Sequence, residues 1–179
     1  MPPLGQRLLA DSLALESFAE LNSPHVTIAH RAPDHRRFAV DAKFDAPVVS
    51  GEGYRIAPEH RLLVEIPDNY LARDARGMCV KSRIRRDGER VFHPNVWPNE
   101  GFFCYDDRFH PSKSLAEQVY TAMRLMTGRL INHDSPADWR ADYVWLHQED
   151  QILAQISPVE LRLPRGLPRA GAVSLPKVA

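Results

Sequence analysis

The stretch His93-Pro94-Asn95-Val96-Trp97-Pro98-Asn99-Glu100-Gly101-Phe102-Phe103-Cys104-Tyr105-Asp106 decides how this chain is read. It lies in a segment, Val91 to Pro111, that has neither helical nor strand periodicity and that collects Pro94, Pro98, Gly101 and Pro111. A long irregular segment inside a compact domain raises the expectation of a functional loop. It also contains one of the two cysteines, Cys104; the other is Cys79.

On its N-terminal side the sequence predicts a helix followed by strands. From Gln6 to Leu21, Leu8, Leu15 and Phe18, with Leu9, Leu13 and Leu21 alongside, recur at spacings of three and four, while Asp11, Glu16 and Glu20 fall outside the stripe. Asn22-Ser23-Pro24 ends it, because the residue before a proline is pushed out of helical geometry. Four short runs then read as strands: His25 to Ala29, Phe38 to Phe44, Arg61 to Ile66 and Met78 to Ile84. None of the connections has room for a crossover helix, so a four-stranded antiparallel meander is the economical arrangement.

On the C-terminal side, Ser114 with Glu117 forms a capping box, Leu115, Val119, Ala122, Met123 and Met126 form an apolar side, and Gly128 is the stop. A third helix is expected from Pro136 to Leu153, with Trp139, Tyr143, Leu146 and Ile152 facing the core. The fold class is therefore α+β: an N-terminal helix, the meander, an irregular loop and two further helices. One domain is expected over residues 1–156. The segment 157–179, with four prolines and four basic residues, is expected to be an extended or disordered tail.

Composition narrows the function. Basic and acidic residues balance at 23 each, which gives no global electrostatic reason for nucleic acid or an acidic membrane as partner. In Lys81 to Arg90 the basic residues are diluted by Asp87 and Glu89 and lack interleaved aromatics, so the run reads as a solvated hairpin rim. Met1 to Gln6 lacks the basic start and apolar run of a signal peptide, and no stretch is apolar enough to span a bilayer, so a cytoplasmic protein is expected. Two cysteines and eight scattered histidines offer no metal-ligand spacing, and no metal or cofactor is expected.

The stretch from His93 to Asp106 resembles the active-site segment of ubiquitin-conjugating enzymes. That family carries a His-Pro-Asn tripeptide, a glycine three residues before the catalytic cysteine and an aspartate two residues after it; His93-Pro94-Asn95, Gly101, Cys104 and Asp106 supply these. Ile66-Pro67-Asp68-Asn69-Tyr70 is similar to the Phe-Pro-x-x-Tyr-Pro segment after the third strand, and Pro111-Ser112-Lys113-Ser114-Leu115 to the segment that opens the second helix. The likeness spans roughly residues 6 to 150. Departures mark a divergent member, of the kind expected in a bacterial ubiquitin-like conjugation pathway. The loop from His93 to Cys104 is one residue longer than usual, Leu71 replaces a proline, and the paired prolines before the fourth strand are missing around Ala75-Arg76-Gly77. Arg7 is the only basic residue of the first helix, where many relatives have several for docking the activating enzyme.

The resemblance implies a chemistry. A modifier arrives as a thioester from an activating enzyme, moves to Cys104 and is passed to an amine on a protein substrate. Cysteine thiolates are strong nucleophiles and thioester exchange is close to isoenergetic, so exposure matters more than a depressed pKa. Cys79, between Met78 and Val80, is read as a buried strand residue. Asn95 either donates to the oxyanion or braces the loop, and the sequence leaves both open. His93, held extended by Pro94, is expected to be a structural hydrogen bonder rather than a general base. The acid that relatives place near the last helix falls on Ser135, with Asp134 beside it; Asp134 is either a proton acceptor for the incoming lysine or a turn or cap aspartate. Asp106 and His110 are further neighbours in sequence. The partners implied are a ubiquitin-like modifier, an activating enzyme and a protein substrate. Two competing readings are a catalytically silent modifier-binding module on the same fold and a papain-like hydrolase. The first is disfavoured by Cys104 itself, the second because no helix starts at the cysteine.

Overall fold

In the computed structural model, residues 4–67, 80–84, 90–104 and 113–166 are described. They form α1 (Leu4–Leu21), β1 (Val26–Arg31), β2 (Arg37–Ser50), β3 (Gly53–Glu65), β4 (Val80–Ile84), α2 (Leu115–Met126) and α3 (Trp139–Leu153). The strands pair antiparallel in chain order, β1-β2-β3-β4, as a meander. Of the segments expected from sequence, Asp68 to Cys79, Arg85 to Glu89 and Tyr105 to Ser112 lie outside the described residues, and with them Cys79, Asp106 and His110.

β2 and β3 run well beyond the short apolar cores that mark them in the sequence. Both contain a proline, which argues against a long strand because it removes a ladder donor. The structure accommodates Pro58 at a bulge: Lys43 pairs with Glu59 and Ala46 with Ala57, so Phe44 and Asp45 oppose Pro58 alone. The Phe44 carbonyl, displaced from the ladder there, accepts from Nε2 of buried His60 at 3.1 Å, and the Ala57 carbonyl accepts from the same nitrogen at 2.9 Å. Past the bulge, the edge of β2 not taken by β3 receives the chain leading to the loop. Val49 N–H donates to the Arg90 carbonyl at 3.0 Å and Phe92 N–H to the Pro47 carbonyl at 2.8 Å. β2 thus links the sheet to the entry of the irregular segment.

α1 and α2 are in contact, and the main core gathers Leu8, Leu15 and Phe18 of α1, Val40 and Leu62 of the sheet, and Leu115, Val119 and Met126 of α2. α2 begins with the expected capping box, both halves of which are formed. It ends in a left-handed cap: Gly128 has φ 67°, Gly128 N–H donates to the Leu125 carbonyl at 3.0 Å and Arg129 N–H to the Arg124 carbonyl at 2.9 Å. A Cβ on Gly128 would also lie 2.6 Å from Leu153 Cδ2 and 2.9 Å from the Trp145 ring, so the position requires glycine twice over.

Two helix faces differ from the periodicity reading. Asp11 is buried inside the α1–α2 contact rather than outside the apolar stripe, whereas Leu13 and Leu21 are exposed. Asp11 accepts from Arg7 Nε at 2.7 Å and from Leu115 N–H, the first residue of α2, at 3.0 Å, while Arg7 also donates to the Lys113 carbonyl. A carboxylate at a helix N-terminus meets both unfilled N–H groups and the positive end of the dipole. In α3 the buried side chains are Ala141, Asp142, Trp145 and Ile152, and Trp139, Tyr143 and Leu146 face outward, Trp139 with 73 % of its surface exposed. Of the four expected core contacts on α3, Ile152 alone is buried. The helix starts later than expected, with Asp138 as N-cap accepting from Arg140 N–H and Ala141 N–H at 3.1 Å each, and this start fixes which face turns inward.

The chain after α3, expected to be an extended or disordered tail, packs on the main core through Val159, Leu161 and Leu163; residues 167–179 lie outside the described residues. Val159 is buried in the main core, and Asn22 holds Arg162 by both backbone groups, accepting from its N–H at 2.7 Å and donating to its carbonyl at 2.8 Å.

The Arg7–Asp11 pair is 3 % exposed on each side, and Asp11→Ala would leave a buried guanidinium without its carboxylate. Equilibrium urea unfolding is expected to show a loss of about 3–5 kcal/mol, with a smaller loss for the double replacement Arg7→Met, Asp11→Leu. Equal losses in both would contradict this assignment.

Candidate active site

The irregular segment is a small braced loop. Val96 and Phe103 form an antiparallel bridge, Trp97 N–H donates to the Phe102 carbonyl at 2.9 Å and Gly101 N–H to the Trp97 carbonyl at 2.9 Å. Gly101, with φ 77°, makes the left-handed turn that closes it. Phe103 and Val96 point into the main core, so the next residue is left at the rim. That residue is Cys104. It is half-buried, in no disulfide, and its N–H donates to the Asn95 carbonyl at 2.8 Å.

Asn95 is buried, and its side chain grips one distant residue. Nδ2 donates to the Asn132 carbonyl at 2.9 Å and Oδ1 accepts from Asn132 N–H at 2.8 Å. The amide thereby satisfies both backbone groups of Asn132 and joins the cysteine loop to the loop between α2 and α3. Two more bonds reinforce the join, from Ala137 N–H at 2.8 Å and Asp138 N–H at 2.9 Å to the Pro94 carbonyl. Arg90 completes it, donating to the Pro98 carbonyl at 2.7 Å and to the Asp138 carboxylate at 2.7 Å.

His93 is fully buried under this framework. Its Nδ1 accepts from Asn95 N–H at 3.1 Å, which places the proton on Nε2, and Nε2 has no hydrogen-bond partner among the described residues. The ring stands edge-on to Trp145 at 5.2 Å between centroids, and Trp145 in turn donates Nε1–H to the Phe92 carbonyl at 3.0 Å. Burial, helped by the nearby charge of His133 and opposed weakly by the Leu130 carbonyl, lowers the His93 pKa to about 3.

Asp134 is exposed on the α2–α3 loop, where its N–H donates to Asn132 Oδ1 at 3.0 Å. Its neighbour His133 is the residue that sequence reasoning passed over. His133 Nδ1 lies 2.6 Å from Oδ1 of Asp142, whose side chain is buried in the first turns of α3. A nine-residue separation across a loop and a helix start gives no motif, so only the correct phase of α3 could have drawn attention to Asp142.

Thus His93, Asn95 and Cys104 share one loop, the Asn95 side chain reaches the loop that carries His133 and Asp134, and the sheet lies behind. Among solved structures, a protein described as a novel ubiquitin-conjugating enzyme superposes with a TM-score of 0.53 and 15 % identity, covering 83 % of this chain and 89 % of its own. A Plasmodium yoelii protein assigned as a ubiquitin conjugating enzyme gives 0.53 at 14 % identity, covering 86 % and 92 %. The fold is that of ubiquitin-conjugating enzymes. No family model and no curated protein matches the sequence. On this ubiquitin-conjugating fold α2 is followed by α3 and then by the segment that packs on the main core at Val159. No helix among the described residues is long and apolar enough to cross a membrane.

Both His93 and His60 have folded pKa values below the 6.5 of an ordinary imidazole, chiefly because burial disfavours the cation. The unfolded chain therefore takes up protons first as pH falls. The stability that these groups contribute is complete above pH 6.5 and is lost progressively towards about pH 3 for His93. His93→Asn keeps an acceptor and removes this titration. Below pH 6.5 the stability gap between wild type and variant is expected to narrow by about 1.4 kcal/mol per pH unit, read by urea unfolding. Parallel curves would refute the buried neutral assignment.

Proposed function

We propose that the protein is a ubiquitin-like modifier-conjugating acyltransferase that accepts a modifier as a thioester on Cys104 and passes it to an amine of a protein substrate. The observation that carries this reading is the placement of Cys104. Its thiol follows buried Phe103 at the rim of a braced loop, on the backbone of Asn95, within a ubiquitin-conjugating fold. A thiol that hands an acyl group between two large partners must be reachable by both and must not wander; a rim position on a hydrogen-bonded hairpin serves both needs.

Asn95 acts first as a brace. Its Oδ1 and one Nδ2 hydrogen are engaged by Asn132, which leaves the second Nδ2 hydrogen to meet the oxyanion that forms when an amine attacks the thioester. The two roles left open by the sequence are thus compatible in one side chain. His93 supports the loop from below as a neutral ring, and its buried Nε2 is unsuited to proton transfer with solvent-borne reactants.

The partners would be a ubiquitin-like modifier, an activating enzyme and a protein substrate, with no cofactor. The activating enzyme would have to dock without basic residues on α1. Arg7 is the only one there, and it is buried against Asp11. The outward face of α1 offers Leu13, Ser17, Glu20 and Leu21 instead.

Incubation with the activating enzyme, ATP and modifier encoded in the same genome is expected to give a reductant-sensitive adduct. Cys104→Ser should convert it to an ester that survives reductant and yields to hydroxide, and Cys104→Ala should abolish it. Asn95→Ala is expected to charge but to discharge to lysine about 10²-fold more slowly, in line with loss of one oxyanion donor. A silent binding module would give no adduct in any of these, and a hydrolase would cleave the modifier without ATP.

A further inference from the structure

We infer that His133 is the general base for the acceptor amine, with Asp142 as the residue that positions it. This inference rests on the thioester reading of Cys104.

Two observations converge on this histidine. First, its Nδ1 is 2.6 Å from Oδ1 of Asp142, and against a carboxylate acceptor that nitrogen carries the hydrogen. The tautomer is thereby fixed, with a lone pair on Nε2. A buried carboxylate that orients a half-exposed imidazole is the arrangement that prepares histidine to take a proton. Second, His133 directly follows Asn132, whose N–H and carbonyl are both held by the Asn95 side chain, and Asn95 in turn carries Cys104 on its own carbonyl. The imidazole is thus tied to the cysteine loop through one side chain.

Asp134, which the sequence left as either a proton acceptor or a turn or cap aspartate, lacks such an arrangement. It is exposed, and its backbone N–H donates to Asn132 Oδ1. A solvated carboxylate is also a weaker base than an imidazole near neutral pH.

The proposed step begins with the neutral amine. Its nitrogen lone pair forms the C–N bond at the thioester carbonyl, and Nε2 of His133 takes the proton that this nitrogen sheds. The C–S bond breaks with its electron pair going to the Cys104 sulfur, and the imidazolium returns the proton to that thiolate or to solvent. Among the described residues, the charged and titratable groups that bear on His133 are Asp142 on α3, His93 on the cysteine loop and Asp134 on its own loop. Asp138, further along, is held by Arg90.

The test uses the full chain, loaded on Cys104 by exchange with a short peptide ending in Gly-Gly and activated as a mercaptoethanesulfonate thioester. Discharge of the purified adduct to free L-lysine is followed from pH 6 to 9. His133→Gln is expected to load normally and to discharge about 10²-fold more slowly, within the range for loss of a general base. The ratio of wild-type to variant rate should fall as pH is lowered, because protonation removes the base. Asp142→Asn should lower the rate in the same direction, less severely. With hydroxylamine, whose nitrogen after attack carries a proton acidic enough for water to remove, wild type and variant should differ little. A rate ratio independent of pH, or an equal loss with lysine and hydroxylamine, would assign His133 a structural role and overturn the inference. A wild-type profile that tracks only the amount of free amine would overturn it without reference to any variant. Failure of Cys104 to load at all would instead refute the thioester reading, so the two failures are distinct.

Discussion

The arrangement depends on the grip of the Asn95 side chain on the backbone of Asn132. A carboxamide presents one acceptor and one donor side by side, which matches the N–H and carbonyl of a single extended residue. Here both bonds form at 2.8–2.9 Å with Asn95 buried. Each such bond adds only about 1 kcal/mol net, but breaking it inside the protein leaves unsatisfied groups that cost about 1–3 kcal/mol each. The grip therefore fixes the spacing between the loop that bears Cys104 and the loop that bears His133. The same device recurs at Asn22, which holds Arg162 and secures the chain beyond α3.

Around that grip, rigidity comes from apolar packing. Phe103 and Val96 anchor the cysteine loop in the main core, while Phe92, Trp145 and Ile152 form a second cluster beneath His93. Gly128 lets the α2 terminus approach Trp145, and the long edge of β2 receives Phe92. The result is a thiol on a fixed rim with a dry foundation, and the neutral His93 is a consequence of that dryness. A charged imidazole there would lose hydration and gain no counterion.

Much of this was legible in the sequence. The capping box at Ser114 and Glu117, the left-handed stop at Gly128 and the irregular loop with Cys104 are local signals, set by a few residues and their immediate backbone, and each appears as read. What failed was non-local. Asp11 reads as solvent-facing until α2 arrives with an N-terminus that needs a carboxylate. α3 carries two competing apolar stripes, one through Trp139, Tyr143 and Leu146 and one through Ala141, Trp145 and Ile152; only the N-cap at Asp138 and the space above Gly128 choose between them. β2 and β3 continue past the apolar runs that mark them in the sequence, through Pro47 and Pro58, which an outer edge and a bulge accommodate. The His133–Asp142 pair was hidden for the same reason as Trp145: its partner lies on the face of α3 that periodicity assigned to solvent.

The most direct test of the account is to locate the linkage in the conjugate itself. Non-reducing digestion and tandem mass spectrometry of the charged protein should place the modifier's C-terminal residue on the sulfur of Cys104. Treatment with thiol before digestion should remove it. A linkage confined to a lysine or the N-terminus and stable to thiol, or no linkage when the activating enzyme is demonstrably charged, would contradict the account.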